Sequence, residues 1–185
     1  MITIGLGWIG TVLYLLNHAY LSLVTNWSPR VYYAGNLIAA TSLIINSVLV
    51  SSWQAVVING FWAVISLLLL LNIPLKNTPL TFRMMAITVA CMWVAALFGL
   101  FYEFELAIRI LGWTSALVFG AAYLLFCAQK MSQKTYLYLN VYAALALTPQ
   151  LWMDKNYPVL TLEVIWALIS IHGALRQRDN THLID

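Results

Sequence analysis

Apolar residues run through this chain in seven stretches of about 20, each cut off by a short polar cluster. A bilayer core is crossed by about 20 apolar helical residues, so each stretch predicts a transmembrane helix. The predicted spans are 3–24, 31–50, 53–71, 81–101, 108–129, 135–153 and 157–175. Asn26, Ser28 and Pro29 end the first span, and Ser51 and Ser52 separate the second from the third. Asn72, Pro74, Lys76, Asn77 and Pro79 make the most turn-rich break. Glu103, Glu105 and Arg109 mark a polar junction before the fifth span, and Lys130, Ser132, Gln133 and Lys134 close it. Asp154, Lys155 and Asn156 form the turn before the last.

Part of this pattern is written twice. Trp62, Ala63, Ile65 and Ser66 recur as Trp166, Ala167, Ile169 and Ser170, with Asn59 matched by Glu163. At the same spacing of 104 residues, Tyr32, Asn36, Ala39, Ala40 and Leu43 match Tyr136, Asn140, Ala143, Ala144 and Leu147. One residue of slippage aligns Gly7-Trp8 with Gly112-Trp113. These matches predict a tandem duplication of a three-helix unit, the kind of internal repeat that sets the whole fold. The units are expected at 1–72 and 105–176, with a linker helix in 73–104 and a cytoplasmic tail at 177–185. Three crossings are an odd number, so the unmatched fourth span restores the direction of the second unit. The expected fold is all-α, seven transmembrane helices in a parallel 3+1+3 arrangement, with a substrate site between the repeats.

Composition agrees: 63% of residues are hydrophobic and 8% charged, against about 25% charged in soluble domains. The formal charge of +3 follows from topology and implies no nucleic-acid partner. Seven spans place Arg30, Lys76, Arg83, Lys130, Lys134, Arg176 and Arg178 on one side, seven of the nine Lys and Arg residues. The positive-inside bias then puts the N-terminus outside and the C-terminus in the cytoplasm of a plasma membrane, expected to be a bacterial inner membrane. No basic n-region with a cleavage site precedes the first span. Cys91 and Cys127 lie in apolar runs and offer neither a disulfide framework nor metal spacing. No metal, cofactor, activated nucleophile or phosphate loop is indicated, so no enzyme is expected.

Candidate chemistry lies with polar residues inside the spans, which are costly in hydrocarbon and face a bundle interior or wet cavity. At about 1.5 Å of rise per residue, Trp62 and Trp166 fall near mid-membrane. Asn59 and Glu163 sit one turn toward the outside, with Asn46 and Gln150 at a similar level. Asn17, His18, Asn36 and Asn140 occupy the cytoplasmic half. Residues three and four apart share a helix face, so Asn59, Trp62 and Ser66 form one stripe and Glu163, Trp166 and Ser170 another. The expected substrate-binding set is Asn59, Trp62, Glu163, Trp166, Asn36, Asn140, His18 and Asn17. The other reading of the amides is interhelical hydrogen bonding that only holds the bundle together. Glu163 has no Lys or Arg at its own depth, so it keeps its proton, pairs with a neighbour such as Asn59, or binds a cation or amine. His18 is the nearer candidate for an internal titrating partner; His172 falls on the far face of its helix. Trp8, Trp53 and Trp152 stand near span ends, where indole anchors a helix at the interface.

Seven spans, a linker helix, an external N-terminus and matched polar residues on spans three and seven resemble the 3-1-3 small-solute facilitators, the SWEET sugar transporters and the PnuC-type vitamin-precursor transporters. The resemblance implies that Asn59 and Glu163 occupy the positions of a substrate-contacting asparagine pair, the second member being acidic here. Thr148-Pro149-Gln150 is similar to the Pro-Gln motif of that superfamily, although it stands in the second helix of its unit, and the first unit has Ile45-Asn46. The Asn, Ala-Ala and Trp-Ala-x-Ile-Ser pattern looks more like small uncharacterised bacterial membrane proteins. The expected function is a transporter or facilitator of a small polar solute such as a sugar, nucleoside or amine. Its partners would be the lipid bilayer and a second copy of the chain. The alternative is a non-transporting subunit, assembly factor or sensor.

Overall fold

A computed structural model of the chain describes residues 2–176; the expected tail, with Arg178, lies outside the described residues. Those residues form seven α-helices and no strand: α1 (Ile2–Leu23), α2 (Pro29–Leu49), α3 (Trp53–Leu70), α4 (Phe82–Gly99), α5 (Phe104–Cys127), α6 (Gln133–Met153) and α7 (Tyr157–Arg176). α5 begins earlier than its apolar run. Glu103 is the extended residue before its first turn, and Glu105 and Arg109 pair at 3.3 Å on its exposed face.

Local chemistry sets the ends. Pro29 stands at the start of α2, where its missing N–H costs nothing. Thr81 and Ser132 cap α4 and α6, their hydroxyls accepting from the N–H of Met84 at 3.2 Å and of Thr135 at 3.1 Å. Inside α6, Pro149 cannot donate to the carbonyl of Leu145. The hydroxyl of Thr148 donates to that carbonyl at 2.9 Å and fills the gap.

Helices α2 and α6 stop in the same way. Ser51 and Lys155 both take the left-handed conformation, φ 55°. The N–H of Ser52 reaches the carbonyl of Ser47 at 2.9 Å, and that of Asn156 reaches Leu151 at 3.0 Å. Inside them, the N–H of Ser51 bonds the carbonyl of Val48 at 3.1 Å and that of Lys155 bonds Trp152 at 3.2 Å. These are two copies of one Schellman turn, 104 residues apart.

Six helices close into a ring. α2 packs between α1 and α3, α6 between α5 and α7, and the two sets meet through α1 on α7 and α3 on α5. Exchanging the sets maps each contact onto another. Close approach of α1 and α7 needs Gly173, where a Cβ would lie 3.2 Å from the Ser22 carbonyl oxygen. α4 lies outside the ring, chiefly on α5, and the Trp93 indole N–H donates to the Tyr142 hydroxyl of α6 at 2.7 Å.

The ring is inverted relative to a soluble protein. Leu16, Ile38, Phe98 and Leu168 are each 60% or more exposed, whereas Asn17, His18, Asn36, Asn140, Ser66, Ser170 and Glu163 are buried. Such polarity suits an apolar solvent. Helices α2, α3, α4, α5 and α7 are long and apolar enough to cross a membrane. α1 and α6 are as long, 22 and 21 residues, and carry buried polar residues, among them Asn17, His18, Asn140 and Gln150. Cys91 faces outward and Cys127 is half-buried; both are free. Trp8, Trp53 and Trp152 are exposed near helix ends.

Because a left-handed conformation costs a residue with a Cβ about 1–2 kcal/mol, Ser51→Gly and Lys155→Gly should each stabilise the protein by up to about 1 kcal/mol. Thermal unfolding in detergent should show two increases of similar size. A gain at one turn and a loss at the other would mean the turns are not equivalent.

Candidate functional site

The stripes of α3 and α7 meet at the centre of the ring. Trp62 and Trp166, each at mid-helix, have ring centroids 5.0 Å apart at 59°. The Tyr14 ring of α1 stands nearly perpendicular to both, at 5.4 and 5.8 Å, and that of Phe119 of α5 does the same at 6.1 and 6.4 Å. Four aromatic residues from four helices thus form one block. Edge-to-face contacts of this kind contribute about 0.5–1.5 kcal/mol each beyond burial.

Each indole is backed by a stacked ring. Tyr123 lies on Trp62 at 4.7 Å and 26°, and His18 lies on Trp166 at 3.6 Å and 9°. The Tyr123 hydroxyl is 2.9 Å from Ser66 Oγ, and His18 Nε2 is 2.8 Å from Ser170 Oγ. The same ring-on-indole, ring-to-serine unit is therefore built twice. Amides follow beyond the serines. Asn36 donates to the Tyr123 hydroxyl at 3.0 Å and accepts from Asn17 at 2.7 Å; Asn17 also donates to the Tyr32 carbonyl at 3.0 Å. Asn140 accepts from the Trp166 indole N–H at 2.9 Å and donates to the Tyr136 carbonyl at 2.7 Å.

On the other side of the indoles, toward the two Schellman turns, lies a cavity. Tyr14, Ile58, Asn59, Trp62, Phe119, Leu162, Glu163 and Trp166 line it. Its volume is about 20 Å³, enough for about one water-sized occupant. Three of its lining residues carry a buried polar atom without a protein partner: the Tyr14 hydroxyl, Trp62 Nε1 and Glu163 Oε2. Leaving such groups unpaired costs about 1–3 kcal/mol each, so they mark a place shaped for something other than packing.

Beyond the cavity the turns clasp one another. Ser52 donates to Asp154 at 2.8 Å, Gln150 to the same carboxylate at 2.7 Å, and Asn46 to Asn156 at 3.0 Å. Thr11 of α1 donates to the Pro158 carbonyl at 2.9 Å. Hydrogen bonds thus tie the helices together on both sides of the centre.

Asn59, Trp62, Glu163 and Trp166 therefore share one cavity, as expected from their stripes. Asn17, His18, Asn36 and Asn140 do not line it; the indoles separate them from it, and their bonds run to each other, to serine, to tyrosine and to backbone. Of the three alternatives for Glu163, the pairing with Asn59 is not formed: the Asn59 amide donates to the Ala55 carbonyl at 2.8 Å. His18 likewise bonds Ser170 in place of serving Glu163. Sequence reasoning missed Tyr14, Phe119 and Tyr123. The signal was available, since the slipped spacing that pairs Gly7-Trp8 with Gly112-Trp113 also pairs Tyr14 with Phe119 and His18 with Tyr123.

These features define a class: an all-helical, membrane-type bundle with an internal two-fold and a buried aromatic and acidic centre. A single family model matches the chain in two stretches, residues 4–77 and 108–180, and the chain belongs to that uncharacterised family. The stretches begin 104 residues apart, the spacing of the two stripes, and leave out α4. No curated protein and no solved structure matches the chain.

Asn140→Leu removes the acceptor of the Trp166 indole and should destabilise the protein by about 1–3 kcal/mol. In a Trp166→Phe background the same substitution should cost about 1 kcal/mol less, measured as a double-mutant cycle by thermal unfolding. Strict additivity would mean the 2.9 Å bond contributes nothing.

Proposed function

We propose that all seven helices cross the membrane in a parallel 3-1-3 arrangement and that the protein transports a small polar solute through the centre of the ring. The observation that carries this reading is Glu163, a buried carboxyl beside unpartnered polar atoms at the axis of an internal two-fold. A bundle that needed only cohesion would gain nothing from a lone acid there. The charge distribution supports an external N-terminus, so that the clasped turns face outward and the amide layer faces the cytoplasm. In this conformation the site is small. A sugar or nucleoside needs far more room than about 20 Å³, so its passage would require α1–α3 and α5–α7 to rock apart, breaking the Ser52–Asp154 clasp on one side or the Asn17–Asn36–Tyr123 chain on the other. Kinship with the SWEET and PnuC-type facilitators rests on this topology alone.

A second reading is favoured by the dense packing of the same centre: a non-transporting subunit whose polar interior holds the helices together. Uptake into liposomes containing the purified protein, screened with sugars, nucleosides and amines, separates the two. The transport reading expects saturable, protein-dependent uptake that falls at least tenfold in Glu163→Gln, with an unfolding midpoint no lower than that of the parent. Uptake equal to that of empty liposomes for every class would leave the subunit reading.

A further inference from the structure

We propose that the central cavity is a recognition site for a small ammonium cation, ammonium itself or a methylammonium, held between the aromatic block and the Glu163 carboxylate. This inference rests on the central site being a ligand site, as in the transport reading, and narrows what that site takes.

Charge argues first. Glu163 is 5% exposed and its Oε2 has no protein partner. No Lys or Arg is among the buried residues described, so nothing in the ring neutralises a carboxylate there. A ligand able to do so must bring a positive charge.

The walls argue next. Tyr14, Trp62, Phe119 and Trp166 all line the cavity, and aromatic rings attract a cation within about 6 Å of their centroids, most strongly when it is desolvated. One face of each indole is covered by Tyr123 or His18, which leaves the other face or the edge for the cavity. A carboxylate set among several aromatic rings is the pattern that selects alkylammonium ions over hydrated metal ions. Hard divalent cations require six or more oxygen ligands, and the cavity offers only those of Glu163, Asn59 and Tyr14. Among the described residues no group of three or more His, Cys, Asp or Glu could hold a metal.

Size makes the third argument. Space for about one water-sized occupant suits ammonium, which is close to water in size, and admits a methyl group only with slight movement of the lining side chains. Hydrogen-bonding capacity agrees in part: the Tyr14 hydroxyl and Glu163 Oε2 can both accept from an N–H, while the Trp62 indole N–H, a donor, is not met by the cation.

The test is titration of the detergent-purified full chain, followed by tryptophan fluorescence at constant ionic strength. Ammonium, methylammonium and tetramethylammonium chlorides are compared with sodium and potassium chlorides. The expected result is saturable quenching by ammonium and methylammonium at concentrations at least tenfold below those at which sodium, potassium or tetramethylammonium act. Glu163→Gln should weaken the response at least tenfold, and Tyr14→Leu should weaken it more than Tyr14→Phe. Equal responses to sodium and ammonium, tighter binding of tetramethylammonium, or an unchanged affinity in a folded Glu163→Gln would overturn the proposal. The wild-type selectivity series decides even if no variant folds. Ammonium binding without liposome uptake would sustain this site while removing the transport reading. Sugar or nucleoside uptake without ammonium binding would do the reverse.

Discussion

A bundle clad in Leu, Ile, Val and Phe has only one place to put hydrogen-bonding side chains, and that is its axis. In hydrocarbon no water relieves an unpaired amide or hydroxyl, so each polar residue of these helices must find a protein partner inside the ring or face a ligand there. The central block of Trp62, Trp166, Tyr14 and Phe119 is what divides that axis. It splits the polar residues into a layer joined by side-chain hydrogen bonds, in which His18 Nδ1 and the Tyr32 and Tyr136 hydroxyls stay unpartnered, and a small cavity lined by three more unpartnered atoms.

Symmetry explains the bonded pairs of that layer, and departures from symmetry explain the unpaired atoms of the cavity. His18 and Tyr123 are different residues performing one task, stacking on an indole and meeting a serine. The amides behave otherwise. Asn140 takes the N–H of Trp166, but Asn36 is committed to Tyr123 and Asn17, so Trp62 is left without an acceptor. Asn17, which bonds the carbonyl of Asn36, has Ala122 as its equivalent in the second unit, so the two amides stand in different surroundings. On the cavity side Asn59 bonds its own backbone while Glu163 does not. Both departures leave their unpaired atoms on residues that line the same small space.

The two ends are closed by chemistry of different strength. Toward the turns, one carboxylate, Asp154, gathers donors from Ser52 and Gln150, and charge-assisted bonds of this sort are about twice as strong as neutral ones. At the far end the links are between neutral amides and hydroxyls. α4 takes no part in either closure. Its place outside the ring, bound through α5 and the Trp93–Tyr142 bond, leaves the matching order of the six central helices intact, and its own burial is correspondingly slight.

The seven helices, the doubled unit and the stripes of Asn59, Trp62, Glu163 and Trp166 were legible in the sequence because they depend on spacing. Apolar runs of a given length and a motif repeated 104 residues apart need no knowledge of what touches what. The order of helices around the ring, the aromatic block and the direction of each amide were decided by the tertiary structure alone. Tyr14 and Phe119 read as ordinary apolar-helix residues until α1 and α5 bring them to opposite edges of the same two indoles. Asn17 and His18 looked like site residues until packing placed the tryptophans between them and the cavity. Period and composition determine that a side chain points inward; only the neighbours it meets there determine whether it is bonded or left free.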